Sequence, residues 1–448
     1  MKTIKYINKY IIGSLLLGMS ACNYLDIEPV GQVIPEKTSE YRALLTSAYS
    51  KLPSHKRFLT VRSDELQPIY DEFGFTSYSS YKDIAIWNDV TPDPKTYEFP
   101  WVDFYTIIFY TNEIITNGPE ATDDNSEPIA QILGEAYALR AYMYFELLNM
   151  YAPVYDKNTA ATQKTVPLTT KIDIEQRFPK STMQEVYNQI ESDLENADKY
   201  MITETQPEKI RYRFSRESLL VMKARIALYK GNASDALIQA KAALEINSQL
   251  EDLNTEGALT PVNYKSKEAI QSMERILDSD FGYDFTVSNA LISLYNENDL
   301  RLSFYYKFDD WTGYTVNKCI TIDERVTFRR SEVYLIAAEA AATEGHLDIA
   351  ANYLKTLIKN RLKPAYYESE AARLSAIADK NQMLKEIAKE RQRELAMEGH
   401  RWYDLRRTTQ EQLTKELEGQ TYILQDHDTR YTLRIPQSAI EANPDLKN

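Results

Sequence analysis

Carboxylates and aromatic rings are the residue types in this chain that could do chemistry or hold a ligand. The HExxH, GxSxG, Walker and GxGxxG patterns are missing, which removes the usual signatures of zinc and serine hydrolases, phosphate loops and dinucleotide folds. Glycoside hydrolysis stays open as an alternative, because its two carboxylates need no sequence signature. His55, His346, His400 and His427 are scattered along the chain and read as packing or surface residues. The run Asp123-Asp124-Asn125-Ser126-Glu127 offers oxygen ligands but lacks the spacing and turn glycine of a calcium loop, so it reads as a solvated loop. No catalytic residue, metal or cofactor is assigned.

The rings carry more information. The chain has 33 tyrosines and 4 tryptophans. A tyrosine presents a flat apolar face and a hydroxyl, which suits both helix packing and a hydroxyl-rich ligand. Two segments mix aromatics with Ser, Thr, Gly and Asp. In Tyr70 to Trp87 we find no helical period; Leu302 to Ile322 alternates around the turn signal Asp309-Asp310-Trp311-Thr312-Gly313 and reads as a short hairpin. Candidate substrate-binding residues are Tyr78, Tyr81 and Trp87 with Asp64 at their approach, and Tyr283, Trp311 and Tyr314. Rings of this kind stack on sugars while Asp, Asn or backbone groups accept hydroxyl hydrogen bonds. Packing against a helical core is the alternative for each of them.

The elements that must position these residues are helices. Trp101, Phe104, Tyr105, Ile108, Asn112 and Ile115 recur at helical spacing, and Asn112 on that stripe needs internal hydrogen bonds. Glu135 to Tyr151 is a second helix, halted before Pro153. Met183 to Ala197 follows as a third, with Ser181 or Thr182 as its cap. Ala224, Ala227, Gly231, Ala236, Ala240 and Ala243 match the small positions of a tetratricopeptide hairpin, and Ala338, Ala341, Gly345, Ala350, Leu354 and Leu357 repeat the pattern. The expected fold class is all-α, built from tetratricopeptide-like hairpins with inserts between them and a minor β-hairpin.

The N-terminus sets the location. Lys2, Lys5 and Lys9 precede an apolar run, Ile11 to Met19, that is far shorter than the ~20 residues of a spanning helix. Ser20-Ala21-Cys22 then resembles a lipobox, in which the Cys22 thiol is diacylated and cleavage makes it the first residue. An ordinary secreted protein whose leader contains a cysteine is the alternative. Residues 1–21 read as signal peptide, 22–36 as linker and 37–448 as one helical domain, with an N-terminal part to about 265 and a C-terminal part from about 266. With Cys22 lipidated, Cys319 has no disulfide partner. Loss of three leader lysines takes the formal charge of −14 to about −17, which argues against nucleic acid as a partner.

Two segments carry a family resemblance: Ser331-Glu332-Val333-Tyr334-Leu335-Ile336-Ala337-Ala338-Glu339-Ala340, and Glu390 through Arg407, which reads ERQRELAMEGHRWYDLRR. With Tyr24-Leu25-Asp26 after the lipobox, Leu139-Arg140-Ala141, Asp299 before Arg301, Ile435-Pro436 and Asn443-Pro444, they make the mature chain resemble the SusD/RagB family of Bacteroidetes outer-membrane lipoproteins. The resemblance implies a right-handed superhelical tetratricopeptide-like core, an irregular ligand face and a seat on a SusC-like TonB-dependent transporter. It implies capture of glycan, or in some members peptide, by a non-enzymatic lipoprotein that is anchored in the outer membrane through Cys22 and exposed at the surface. Glu390, Arg391, Glu394, Glu398 and Arg401 are expected near one helix face in alternating ion pairs, with Trp402 and Leu405 bringing apolar surface to its end. A purely protein-binding tetratricopeptide scaffold is the remaining alternative.

Overall fold

The computed structural model describes residues 35–172 and 177–447. Cys22, the leader and most of the linker lie outside the described residues.

Helices supply the frame. Helix α1 (Thr38–Ser50) and the short α2 (His55–Arg62) and α3 (Tyr78–Ala85) precede a long antiparallel hairpin, α4 (Val102–Asn117) and α5 (Ile129–Tyr151). Helix α5 is buried on nearly every side and packs on α4 and on α6 (Met183–Tyr200). Close approach to α6 depends on Gly134, where a Cβ would stand 2.8 Å from the backbone nitrogen of Met201. Of the two caps the sequence offers, Thr182 closes α6, in a reciprocal box with Glu185. Asn112 faces inward on α4 and is satisfied: Arg140 donates to its Oδ1 at 2.7 Å, and its Nδ2 donates to the Thr169 carbonyl at 3.2 Å. Arg140 is itself held by Asp193 through two bonds of 2.8 and 2.6 Å.

The two tetratricopeptide-like hairpins are α7 (Arg216–Tyr229) with α8 (Ala233–Ile246), and α9 (Arg330–Thr343) with α10 (Leu347–Lys359). Their turns are copies of each other. Gly231 at φ +76° and Gly345 at φ +88° occupy the left-handed region. The Gly231 and Asn232 amides donate to the Leu228 and Ala227 carbonyls, and those of Gly345 and His346 donate to Ala342 and Ala341 in the same pattern. This is a Schellman ending, and glycine is the residue that reaches it without a Cβ penalty. Helix α8 packs directly on α9, so hairpins far apart in sequence are neighbours in space. Helices α11 (Pro364–Ser375) and α12 (Lys380–Glu394) continue the stack, and α13 (His400–Arg407) turns back to pack on α2.

A four-stranded antiparallel sheet interrupts the helices. Its strands are β1 (Leu66–Pro68), β2 (Phe285–Val287), β3 (Tyr306–Asp309) and β4 (Gly313–Val316), in the order β1-β2-β4-β3. The expected hairpin is therefore present as β3 and β4, but it is one half of a sheet completed by two short strands from distant segments. Three-residue strands carry too little alternation to be read from sequence. A second difference falls in Tyr70 to Trp87, where Tyr78, Tyr81, Ile84 and Ala85 form the buried face of α3. The third concerns the segment from Glu390 to Arg407, which is two helices and not one. Met397 at φ 67° and Gly399 at φ 75° break it, and a Cβ on Gly399 would stand 2.7 Å from the Lys56 Cβ.

Candidate functional site

Three of the sequence-chosen rings are core residues. Trp87 is 1 % exposed, its backbone at φ 60° turning the indole inward, where Nε1 donates to the Arg62 carbonyl at 2.9 Å. The Lys415 ammonium sits 5.5 Å from the centre of the Trp87 ring. Tyr81 packs edge-on against Phe281 and Phe285, with centroids 5.5 and 5.2 Å away. Tyr78 is buried beside Tyr70. Tyr78 and Tyr81 pack α3 into the cluster beneath the sheet, Trp87 joins the main helical core, and none of the three faces solvent. Asp64 is also committed: Arg401 grips its two oxygens at 2.8 and 2.7 Å, which ties the end of α2 to α13.

Tyr283 and Trp311 are different, being 79 % and 96 % exposed. Tyr283 lies in a helical turn just before β2. Trp311 is the tip of the β3–β4 hairpin, where Asp309 Oδ1 accepts from the amides of Trp311 at 2.8 Å and Thr312 at 3.0 Å and fixes the turn. Tyr314 is half-buried on β4, and its ring meets Phe308 across the hairpin at 5.1 Å. The sheet register sets the positions of Tyr283 and Trp311. Pro68 pairs with Phe285 and Thr286 with Thr315, so Tyr283 lies off one end of the sheet and the Trp311 turn off the other.

Exposed rings not singled out in the sequence join each end. Tyr70, Phe73 and Phe75 lie on the loop that leaves β1. Asp71 organises that loop, accepting the Phe73 and Thr76 amides at 2.9 Å each and that of Phe75 as well. The Ile69 amide donates to the Asp284 carbonyl at 2.8 Å, and that of Ser77 to Asp284 Oδ2 at 2.9 Å, which keeps this loop beside Tyr283. Phe308 accompanies Trp311 at the opposite end. The only sequence hint was composition: rings set among Gly, Ser and Asp, where backbone turns leave side chains without a core to join.

The acidic residues of Glu390 to Arg407 are fully engaged, largely with cations far away in sequence. Glu394 accepts from Arg301 at 2.9 Å, from Arg329 at 2.6 Å and from Arg361 through two bonds of 2.9 Å. Glu398 accepts from Arg329 at 2.9 and 2.6 Å and from Lys318 at 2.7 Å. Glu390 takes Arg301 at 2.6 Å and Arg393. Burial alone would raise these carboxyls, but the guanidinium groups outweigh it and hold all three below the usual range, Glu394 well below. Carboxylates held ionised inside the protein have neither the proton of a general acid nor access to substrate. Of these three acids only Glu390 is paired within its own helix, with Arg393, and the expected alternating pairs otherwise give way to a buried network that joins α12 to Arg301, Arg329 and Arg361.

Other titratable groups are internal as well. His55 lies between the Pro53 carbonyl at 3.2 Å and Glu146 at 2.7 Å, and Tyr403 donates to the same carboxylate at 2.9 Å. His400 is buried, and burial with nearby cations pushes its imidazole well down. Glu65, buried next to Asp64, is pushed up to about 8, and burial lowers Lys415 to about 7. Burial also pushes the Cys319 thiol up, away from reactivity. Asp124 accepts the Ser39 amide at 3.3 Å in the first turn of α1, so part of the acidic run caps a helix. Among the described residues no three His, Cys, Asp or Glu side chains gather as a metal site.

Comparison with known proteins gives two matching family models. Residues 252–448 match the model described as the SusD family, and residues 23–228 match one described as starch-binding associating with outer membrane. The chain belongs to the SusD family. Among relatives of this SusD-family protein, SusD-like protein P38 of Formosa agariphila is 26 % identical, the alignment covering 91 % of this chain and 92 % of that one. A SusD superfamily protein of Bacteroides thetaiotaomicron superposes with a TM-score of 0.74 at 19 % identity, covering 91 % of this chain and 98 % of the other. A laminarin-binding SusD-like protein superposes with a TM-score of 0.64 at 21 % identity, over 83 % and 92 % of the two chains. The helical, tetratricopeptide-like architecture is that of the superfamily.

Proposed function

We propose that this SusD-family protein captures glycan at the cell surface and passes it to a SusC-like TonB-dependent transporter in the outer membrane. The observation that carries this reading is the set of rings left in water at the two ends of the small sheet: Tyr70, Phe73, Phe75 and Tyr283 at one, Phe308 and Trp311 at the other. Exposed rings held on fixed turns offer stacking faces for sugars at little entropic cost. The laminarin-binding relative and the starch-binding family description support a saccharide over a peptide. Capture in this reading is physical and non-enzymatic, in keeping with Glu390, Glu394 and Glu398 being held in buried ion pairs that offer no catalytic pair.

In this reading residues 1–21 are the signal peptide, Cys22 carries the lipid, 22–36 is the tether and 37–448 the helical domain. Among the described residues no helix is long and apolar enough to cross a membrane. The acyl chains on Cys22 supply the attachment, at about 0.8 kcal/mol per buried CH₂. The tether joins the fold where the Thr122 amide donates to the Glu36 carbonyl at 2.8 Å. Radiolabelled palmitate fed to expressing cells is expected to label the protein, and Cys22→Ala to abolish the label and release the protein from the membrane fraction. Affinity electrophoresis of the same two forms through gels containing laminarin or starch tests capture; equal retardation of both is expected, and no retardation in any polysaccharide gel would count against glycan.

A further inference from the structure

A groove of about 720 Å³ runs between the segment that follows α3, the paired strands Lys164–Pro167 and Lys180–Thr182, and the C-terminal residues 433–447. Its volume lies within the range of small-molecule sites. Tyr97, 47 % exposed, and the half-buried Phe99 give it an aromatic wall, with Tyr151, Leu433 and Ile435 behind. None of the exposed rings at the two ends of the sheet lines it.

The charges in the groove are uneven. Lys164, Lys180, Arg434 and Lys447 line it, and none of them forms an ion pair among the described residues. Three acids line it as well, each held by protein donors, and among the described residues only Asp89 of these is paired with a cation. Asp89 is gripped by Arg62, Asp83 accepts from Asn88, Thr96 and the Asp93 amide, and Glu98 accepts from Ser438. In a chain of formal charge −14, four cations with no ion pair among the described residues, brought together from three segments, outnumber Asp83 and Glu98, the lining acids not paired with a cation, and this local positive excess concentrates anions against the general field. Burial pushes the Lys180 ammonium down from its ordinary value, so an anion beside it relieves a desolvation cost.

We propose that this groove is a second saccharide site, specific for glycan that carries carboxylate or sulfate groups. The aromatic wall takes a sugar face and the spaced cations take successive negative charges along the chain. It acts independently of the rings around the sheet, which serve neutral sugar.

The test is titration of the mature chain with polygalacturonate and its fully methyl-esterified form, with dextran sulfate and dextran, and with polyglutamate. Binding to polygalacturonate or dextran sulfate is expected at least ~10-fold tighter than to the uncharged counterpart, weakening as salt screens the charges; which polymer wins tells uronate from sulfate. Lys164→Ala with Arg434→Ala, both exposed, is expected to lower that affinity at least ~10-fold with melting temperature unchanged, whereas Tyr283→Ala with Trp311→Ala leaves it intact. Equal binding of charged and uncharged polymers, indifference to the Lys164 and Arg434 changes, or polyglutamate binding as tightly as the saccharide would each overturn the proposal. Neutral-glycan binding in the same series is read separately and tests capture by the exposed rings.

Discussion

Glu394→Ala is expected to leave the protein unfolded or molten at 25 °C. The Glu394 carboxylate is the shared acceptor of Arg301, Arg329 and Arg361, and all four side chains are at most 1 % exposed. Removing one partner of a buried pair costs about 3–5 kcal/mol, because the other charge stays desolvated and unpaired. Here three buried guanidinium groups lose a shared acceptor at once, keeping only Asp299 and Glu390, Glu268 and Glu398, and Glu268 respectively, and the total stability of a native protein is only about 5–15 kcal/mol. Far-UV circular dichroism with urea titration reads the result; a midpoint within error of wild type would contradict it. The same carboxylate gives the pH dependence its sign. The folded-state pKa is held well below the ordinary 4.5, so its contribution to stability is complete above 4.5 and is lost as pH falls below that value towards the folded pKa. Glu390 and Glu398, also lowered, add to the loss in the same direction.

Trp87→Ala and Trp311→Ala are expected to have opposite consequences, although the two residues were chosen from the sequence for the same role. Trp87 fills the space between α3, Arg62 and Lys415, and its removal leaves a cavity and frees the Arg62 carbonyl. The cost is about 3–5 kcal/mol. Trp311 is in solvent, and its removal changes stability by no more than about 0.5 kcal/mol. Thermal melts of the two variants decide the matter. A Trp87→Ala protein as stable as wild type would mean that its ring is not part of the core.

This contrast also marks how far the sequence could be read. Local rules identified what they govern. Gly231 and Gly345 were recognisable as the turn positions of tetratricopeptide-like hairpins, and both take the positive φ of a Schellman ending. Asn112 was recognisable because a polar side chain on an apolar stripe must find partners, and it does in Arg140 and Thr169. Ser181 or Thr182 marked the start of α6, and Thr182 is the one that caps it. Long-range choices were not available. Whether a tryptophan points in or out depends on the path of the chain around it, a left-handed residue at Trp87 and a hairpin tip at Trp311. Strands Leu66–Pro68 and Phe285–Val287 pair across almost half the chain, and neither is long enough to show a period. In Glu390 to Arg407 the 3.6-residue spacing was extended past Glu394, where the helix stops ahead of the left-handed Met397 and Gly399, and most of the cations that hold Glu390, Glu394 and Glu398 come from elsewhere. The exposed rings Phe73 and Phe75 had the same composition around them as the buried Tyr78 and Tyr81, so composition alone could not separate them.

The most direct test of ligand capture is a glycan and peptide array probed with the mature chain and with a Tyr283→Ala, Trp311→Ala double variant of matched melting temperature. Binding to one class of saccharide, reduced at least ~10-fold in the double variant, is the predicted result. Binding to peptides alone, or saccharide binding unchanged by loss of both rings, would contradict it.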